Sequence, residues 1–139
     1  MRLTNEDAEF SCEPDGMFMS HATLQAGGVT FRAGETTGAH MTEAVGTPDL
    51  VIEIISPSSE EKDTADLFED YFAAGITEYW LIDCRGEDMR FDVYKRGSKG
   101  FTNTRKTAGW VRSAVLGKSF RLVRREPRSG ISRYVLEIV

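Results

Sequence analysis

Glu53 constrains this chain more than any other residue. It sits inside Leu50–Ile55 (LVIEII), where every other side chain is aliphatic. Such a run reads as a strand, and alternation places Asp49, Val51, Glu53 and Ile55 on one side of it. A carboxylate on so apolar a strand needs a cation, a polar partner or a pocket mouth to offset its desolvation. The residues that follow continue a recognisable unit. Ser58 with Glu61 fits a capping box. Leu67, Phe68, Tyr71 and Phe72 fall at helical spacing on one apolar stripe, and Gly75 is a natural stop. Glu78–Asp83 (EYWLID) then resumes the strand pattern. Strand, crossover helix and strand should pair parallel and close right-handed.

At 139 residues the chain is expected to form a single domain, residues 1–139. A hydrophobic share of 40% against 28% charged places it among water-soluble globular chains. No apolar run is long enough for a membrane-spanning helix, and the acidic N-terminus, MRLTNEDAEF, lacks the apolar stretch of a secretion signal. Cys12 and Cys84 stand far apart without a CxxC spacing, the usage of a reducing cytoplasm more often than of a disulfide framework. The net charge of −5 hides an asymmetry. Residues 1–84 hold three bases (Arg2, Arg32, Lys62) and 17 acids, or −14, whereas residues 85–139 hold 14 bases and five acids, or +9. One reading is a solvated β surface beside an acidic helix face. The other is an acidic cation-binding centre flanked by a basic surface for phosphates.

Along the chain, Cys12–Met19 reads as a strand carrying Asp15 next to Gly16, Ser20–Leu24 as a short turn, and Gly27–Arg32 as a strand. Ala33–Gly46, rich in Gly, Thr and Ala, reads as an irregular loop. After the central unit come strand-like runs at Met89–Tyr94, Phe101–Lys106, Trp110–Ser113, Ser119–Arg124 and Arg133–Ile138, with turns at Arg96–Gly100 and Pro127–Gly130. The fold class is therefore α/β, a mixed sheet with one main crossover helix and a β-rich C-terminal extension. One helix covers one face of such a sheet. The other face needs a second copy in a homodimer, or segments upstream of Met1.

Asp15 and Glu53 form the candidate constellation. Neighbouring strands lie about 4.8 Å apart, so two carboxylates on adjacent strands can hold one hard cation. Mg²⁺ is commonly held by one or two carboxylates while keeping waters and room for a phosphate oxygen. Asp49 shares Glu53's face but lies roughly 13 Å away along a straight strand; it closes a turn or stands at the rim. Asp63 opens the helix, where an acid meets the dipole favourably, or edges the site. For Asp15 the competing reading is a plain Pro-Asp-Gly turn, and for Glu53 an ion pair with an arginine of the tail. His21 and His40 have no ligand-like partners in sequence, so a zinc site is not expected.

These residues bear a likeness. PDLVIEIISPSSEEKD, DYFAAGITEYWLID and EPDGMFMS, and more loosely FDVYKRGSKGF and GWVRSAVLGKSFRL, resemble the Uma two family of endonucleases in the PD-(D/E)xK superfamily. The resemblance implies a restriction-endonuclease-like core and hydrolysis of DNA phosphodiesters with Mg²⁺ or Mn²⁺. Asp15 takes the place of the PD acid and Glu53 that of the ExK acid. The ExK lysine would fall at Ile55, and the helix position where family members often carry a lysine falls at Leu67. Lys62 is the one local base and the remaining candidate for the catalytic amine. Family members usually also have helices and a strand before the EPD segment, so the chain reads as N-terminally shortened. Two functions follow: a metal-dependent nuclease, or a module that kept the fold, lost the lysine and serves in nucleic-acid binding or as an oligomeric subunit.

Overall fold

The computed structural model describes residues 1–33, 41–57, 61–126 and 129–139, without the side chains of Met41 and residues 61–64. In chain order the elements are β1 (Arg2–Asn5), β2 (Phe10–Cys12), β3 (Gly16–Phe18), α1 (His21–Gln25), β4 (Val29–Ala33), β5 (Met41–Gly46) and β6 (Leu50–Ile55). There follow α2 (Glu61–Ala73), β7 (Glu78–Asp83), β8 (Arg90–Arg96), β9 (Phe101–Asn103), β10 (Val111–Arg112), β11 (Ser119–Arg125) and β12 (Arg133–Ile138). The central sheet runs β3-β6-β7-β8-β9, beside a four-stranded sheet β2-β1-β5-β4 and a three-stranded sheet β10-β11-β12.

The central unit forms as its residues dictate. β6 and β7 pair parallel from Leu50 opposite Glu78 to Ile55 opposite Asp83, with α2 as the connection. The helix ends in a left-handed cap. Gly75 has φ +85°, its N–H donates to Phe72 O, and the Ile76 N–H donates back to Tyr71 O at 3.1 Å, which satisfies carbonyls the helix would leave bare. Ser58, the expected N-cap, lies outside the described residues.

Strand alternation sorts the central sheet into two faces. Val51, Tyr79 and Leu81 face α2 and pack with Tyr71 and Phe101, with Phe68 and Phe72 against them. Leu50, Trp80, Phe91 and Val93 face the other way, onto Val111, Phe120 and Leu122. The Trp80 and Phe120 rings meet edge-on with centroids 4.8 Å apart. The second face, for which a partner copy or an upstream segment was expected, is thus covered by the chain's own C-terminal sheet. A three-stranded sheet buries an apolar face as well as a helix does; β10 is two residues long, too short to announce a covering layer.

Other expectations are corrected. Cys12–Met19 is two strands. β2 ends at Cys12 in one sheet and β3 begins at Gly16 in another, broken at Pro14, which has no N–H to continue a ladder. Ser20–Leu24 is no plain turn: Ser20 caps α1 by accepting from the Thr23 N–H. The second half of the expected loop, Met41–Gly46, is β5, paired antiparallel to β4 and parallel to β1. Its Glu, Ala and Gly are weak strand formers, and two flanking ladders outweigh that propensity. At its end Gly46 has φ +129°, and a Cβ there would stand 2.0 Å from Gly28 O, so a glycine is required. β1 itself has no counterpart among the expected strands.

Glu78 joins two layers. It is 1% exposed, and its carboxylate accepts from Trp80 Nε1 at 2.6 Å, from Ala114 N at 3.0 Å and from Val115 N at 3.3 Å. Glu78→Ala would strand those donors in the interior. The expected cost is about 3 kcal/mol, from the lost charged hydrogen bonds and the unpaired groups, read as a lower urea midpoint. Retention of wild-type stability would show that water replaces the carboxylate.

Candidate metal centre

The β3–β6 pairing sets Gly16 opposite Ile52 and Met17 opposite Val51. One step back along β3, Asp15 stands opposite Glu53. The break at Pro14 frees the Asp15 side chain to turn onto β6, where its Oδ2 accepts from the Ile54 N–H at 2.6 Å. The structure thus brings together the two acids singled out from the sequence: Asp15 binds the amide of the residue that follows Glu53 on β6. Asp15 is exposed and Glu53 half-buried beneath α2.

Glu53 has a partner that sequence reasoning missed. The hydroxyl of Tyr71, on the inward stripe of α2, donates to Glu53 Oε1. Cys12 Sγ lies 3.2 Å behind that hydroxyl, so thiol, phenol and carboxyl form a chain. Burial pushes the Glu53 carboxyl up to about 7; the Tyr71 hydrogen bond opposes this and the neighbouring Asp15 carboxylate adds to it. Burial, offset in part by the same phenol, raises the Cys12 thiol to about 11. The Tyr71 phenol is driven far above its ordinary range, first by burial and then by Cys12 and Glu53, so it stays a donor at all working pH. A signal for this was present: a tyrosine on an apolar stripe facing an acid-bearing strand needs a partner for its hydroxyl.

The pair fits a hard cation. Glu53 Oε1 is engaged by Tyr71 and Asp15 Oδ2 by the Ile54 amide, which fixes both carboxyl groups. Two converging acids, one with its charge suppressed by burial and by the other, are the donor set that a divalent ion neutralises. Among the described residues, no cluster of three or more His, Cys, Asp or Glu gathers to hold a metal.

Asp49, expected at the rim or in a turn, takes the second role. Asp49 accepts from Ser20 N at 2.7 Å and from Thr23 Oγ1 at 2.8 Å; it ties α1 to the start of β6, the turn-closing role. Lys62 and Asp63 belong to the first turn of α2, but their side chains lie outside the described residues. Leu67 packs against the core cluster and Ile55 is half-buried. His21 is exposed at the start of α1, and His40 is outside the described residues.

A mixed sheet with one acid on a strand, a second acid just before the neighbouring strand, and a helix following the first, defines a restriction-endonuclease-like α/β protein. The model of the Uma2 family, described as "Putative restriction endonuclease", matches residues 1–122. The chain belongs to that family. The match ends within β11, so β12 lies beyond it. No curated protein matches the chain.

Proposed function

We propose that this protein is a divalent-cation-dependent nuclease acting on DNA phosphodiesters in the cytoplasm, with Asp15 and Glu53 holding Mg²⁺ or Mn²⁺. The observation that carries this reading is the convergence of the two carboxyl groups across β3 and β6. When bound, such an ion polarises a phosphate and acidifies a water. The protein's part is to hold the ligand atoms still: the Ile54 amide fixes Asp15, and Tyr71 fixes Glu53. Desolvation under α2 leaves Glu53 able to carry a proton near neutrality. The test is incubation of plasmid DNA with the protein in Mg²⁺, in Mn²⁺ and in chelator. Cleavage that requires the metal supports the reading, and intact plasmid throughout removes it.

One observation favours the second reading, a non-catalytic module. At the helix position where the family resemblance implies an amine, this chain has Leu67, half-buried against the core. In that case the wild type does not cut, and Leu67→Lys gains cleavage. A DNA surface on the tail competes with existing ion pairs: Arg121 and Arg125 both bind Glu137, and Arg124 binds Glu126. The homodimer proposal now rests on the outer strand β12, where Tyr134, Leu136 and Ile138 are exposed. A monomer by light scattering would end it.

A further inference from the structure

The face of the central sheet that carries Glu53 continues into a second feature. Beyond Glu53 on the same side lies Ile55, roughly 6.6 Å further along the strand; across from them on β7 are Leu81 and Asp83. On β8, Tyr94 stands opposite Tyr79 and Arg90 opposite Asp83. Between this surface and α2 lies a cleft of about 550 Å³, walled by Phe68, Tyr79, Tyr94, Ile55 and Leu81. Exposure rises along it, from Tyr79 at 0% and Leu81 at 3% to Asp83 and Arg85, whose side chains are 21% and 37% exposed. Tyr79 therefore marks the deep end, and Asp83 and Arg85 the mouth.

Two properties define what this cleft can take. Its inner wall is aromatic: Phe68 meets Tyr79 and Tyr94 edge-on at 5.9 and 5.1 Å, and Tyr79 stacks with Tyr94 at 5.9 Å. Yet the Tyr79 hydroxyl, fully buried, has no hydrogen-bond partner among the described residues. A buried hydroxyl without a partner costs free energy and is rare in a finished core. At the mouth the charges balance. Asp83 is held by Arg85, Arg90 is shared between Asp92 and the Tyr94 hydroxyl, and the Glu69 carboxylate also lines the cleft. A phosphate gains little from such a balanced rim. A flat, uncharged heterocycle with polar edges gains stacking inside, a partner for Tyr79, and donors and acceptors at the rim.

We propose that this cleft binds an unpaired nucleobase, taken from single-stranded DNA or extruded from a duplex, beside the phosphodiester held at Asp15 and Glu53. Its placement next to a reacting phosphate rests on the nuclease reading; the binding of the base does not. A base in a duplex cannot enter a pocket of this kind without leaving its stack, and stacking on aromatic side chains offsets that cost.

The experiment separates the two. The four 2′-deoxynucleosides, uncharged and without phosphate, are titrated into the full chain in chelator and followed by NMR. At least one is expected to bind at about millimolar affinity. Tyr79→Phe removes only the orphan hydroxyl and should weaken that binding about 3- to 10-fold without lowering the melting temperature. Ala65→Trp, at an exposed helix position lining the cleft, should abolish it. No binding at tens of millimolar, or binding unchanged by both substitutions, overturns the proposal and leaves plasmid cleavage untouched. Nucleoside binding without any metal-dependent cleavage would keep the pocket and remove the nuclease.

Discussion

Glu53→Gln is expected to lower metal-dependent DNA cleavage by on the order of 100- to 1,000-fold, the scale set by removing one preorganised electrostatic group from a reaction centre. Glutamine keeps the shape of the side chain, and its amide oxygen still accepts from Tyr71. What disappears is the charge available to a cation. Asp15→Asn should act similarly, because its carbonyl oxygen can still take the Ile54 amide that Asp15 Oδ2 takes now. The two losses should not add, since each variant dismantles the same two-carboxylate set. Rates are to be measured at several Mg²⁺ concentrations. A loss recovered at high metal identifies weakened metal binding, whereas variants that cut like the wild type would take both acids out of the reaction.

In metal-free protein the same carboxyl should make stability fall as pH rises. Glu53 keeps its proton in the folded state up to about pH 7, whereas an unfolded chain releases it near 4.5. Between those values the native state binds more protons than the unfolded state, so the free energy of unfolding declines through this window, by at most about 3 kcal/mol. Below pH 4.5 the effect is absent, and above 7 it is complete. Glu53→Gln removes the titrating group, so this variant should be more stable than wild type at pH 8 and no more stable at pH 4. Tyr71→Phe deletes the hydrogen bond that lowers the Glu53 value, and should extend the decline to higher pH. Urea unfolding at pH 4, 6 and 8 in chelator reads all three. Parallel curves for wild type and Glu53→Gln would show that burial does not suppress this charge. Mg²⁺ added at pH 8 should raise the stability of the wild type more than that of the glutamine variant, because only the wild type offers both carboxylates to the ion.

The gain in stability expected of Glu53→Gln sits beside its loss of cleavage. A half-buried acid next to another acid is a poor way to hold a fold together, and it is retained at a cost the rest of the sheet offsets. Trp80, Phe120 and the Phe68–Tyr79–Phe101 cluster supply the packing that lets β6 carry it.

Local chemistry was enough to read β6, α2 and β7 from the residues. The aliphatic run, the helical stripe and Gly75 act within one or two turns of chain, and β6 and β7 have the boundaries expected of them. The choice of Glu53 followed from the same locality, an acid in an aliphatic strand; Asp15 was chosen as an acid beside Gly16 on an expected strand, with a plain Pro-Asp-Gly turn as the competing reading. Their meeting did not follow from locality. It depends on β3 pairing antiparallel with β6 across more than thirty intervening residues, and on Pro14 splitting one apparent strand between two sheets. Tertiary pairing also made a strand of Met41–Gly46, folded the tail over the second face, and set the Tyr71 hydroxyl against Glu53. Each of these is decided by where another segment lies. A residue's own propensity is worth tenths of a kcal/mol, whereas the ladders and buried contacts supplied by distant neighbours are worth several times more.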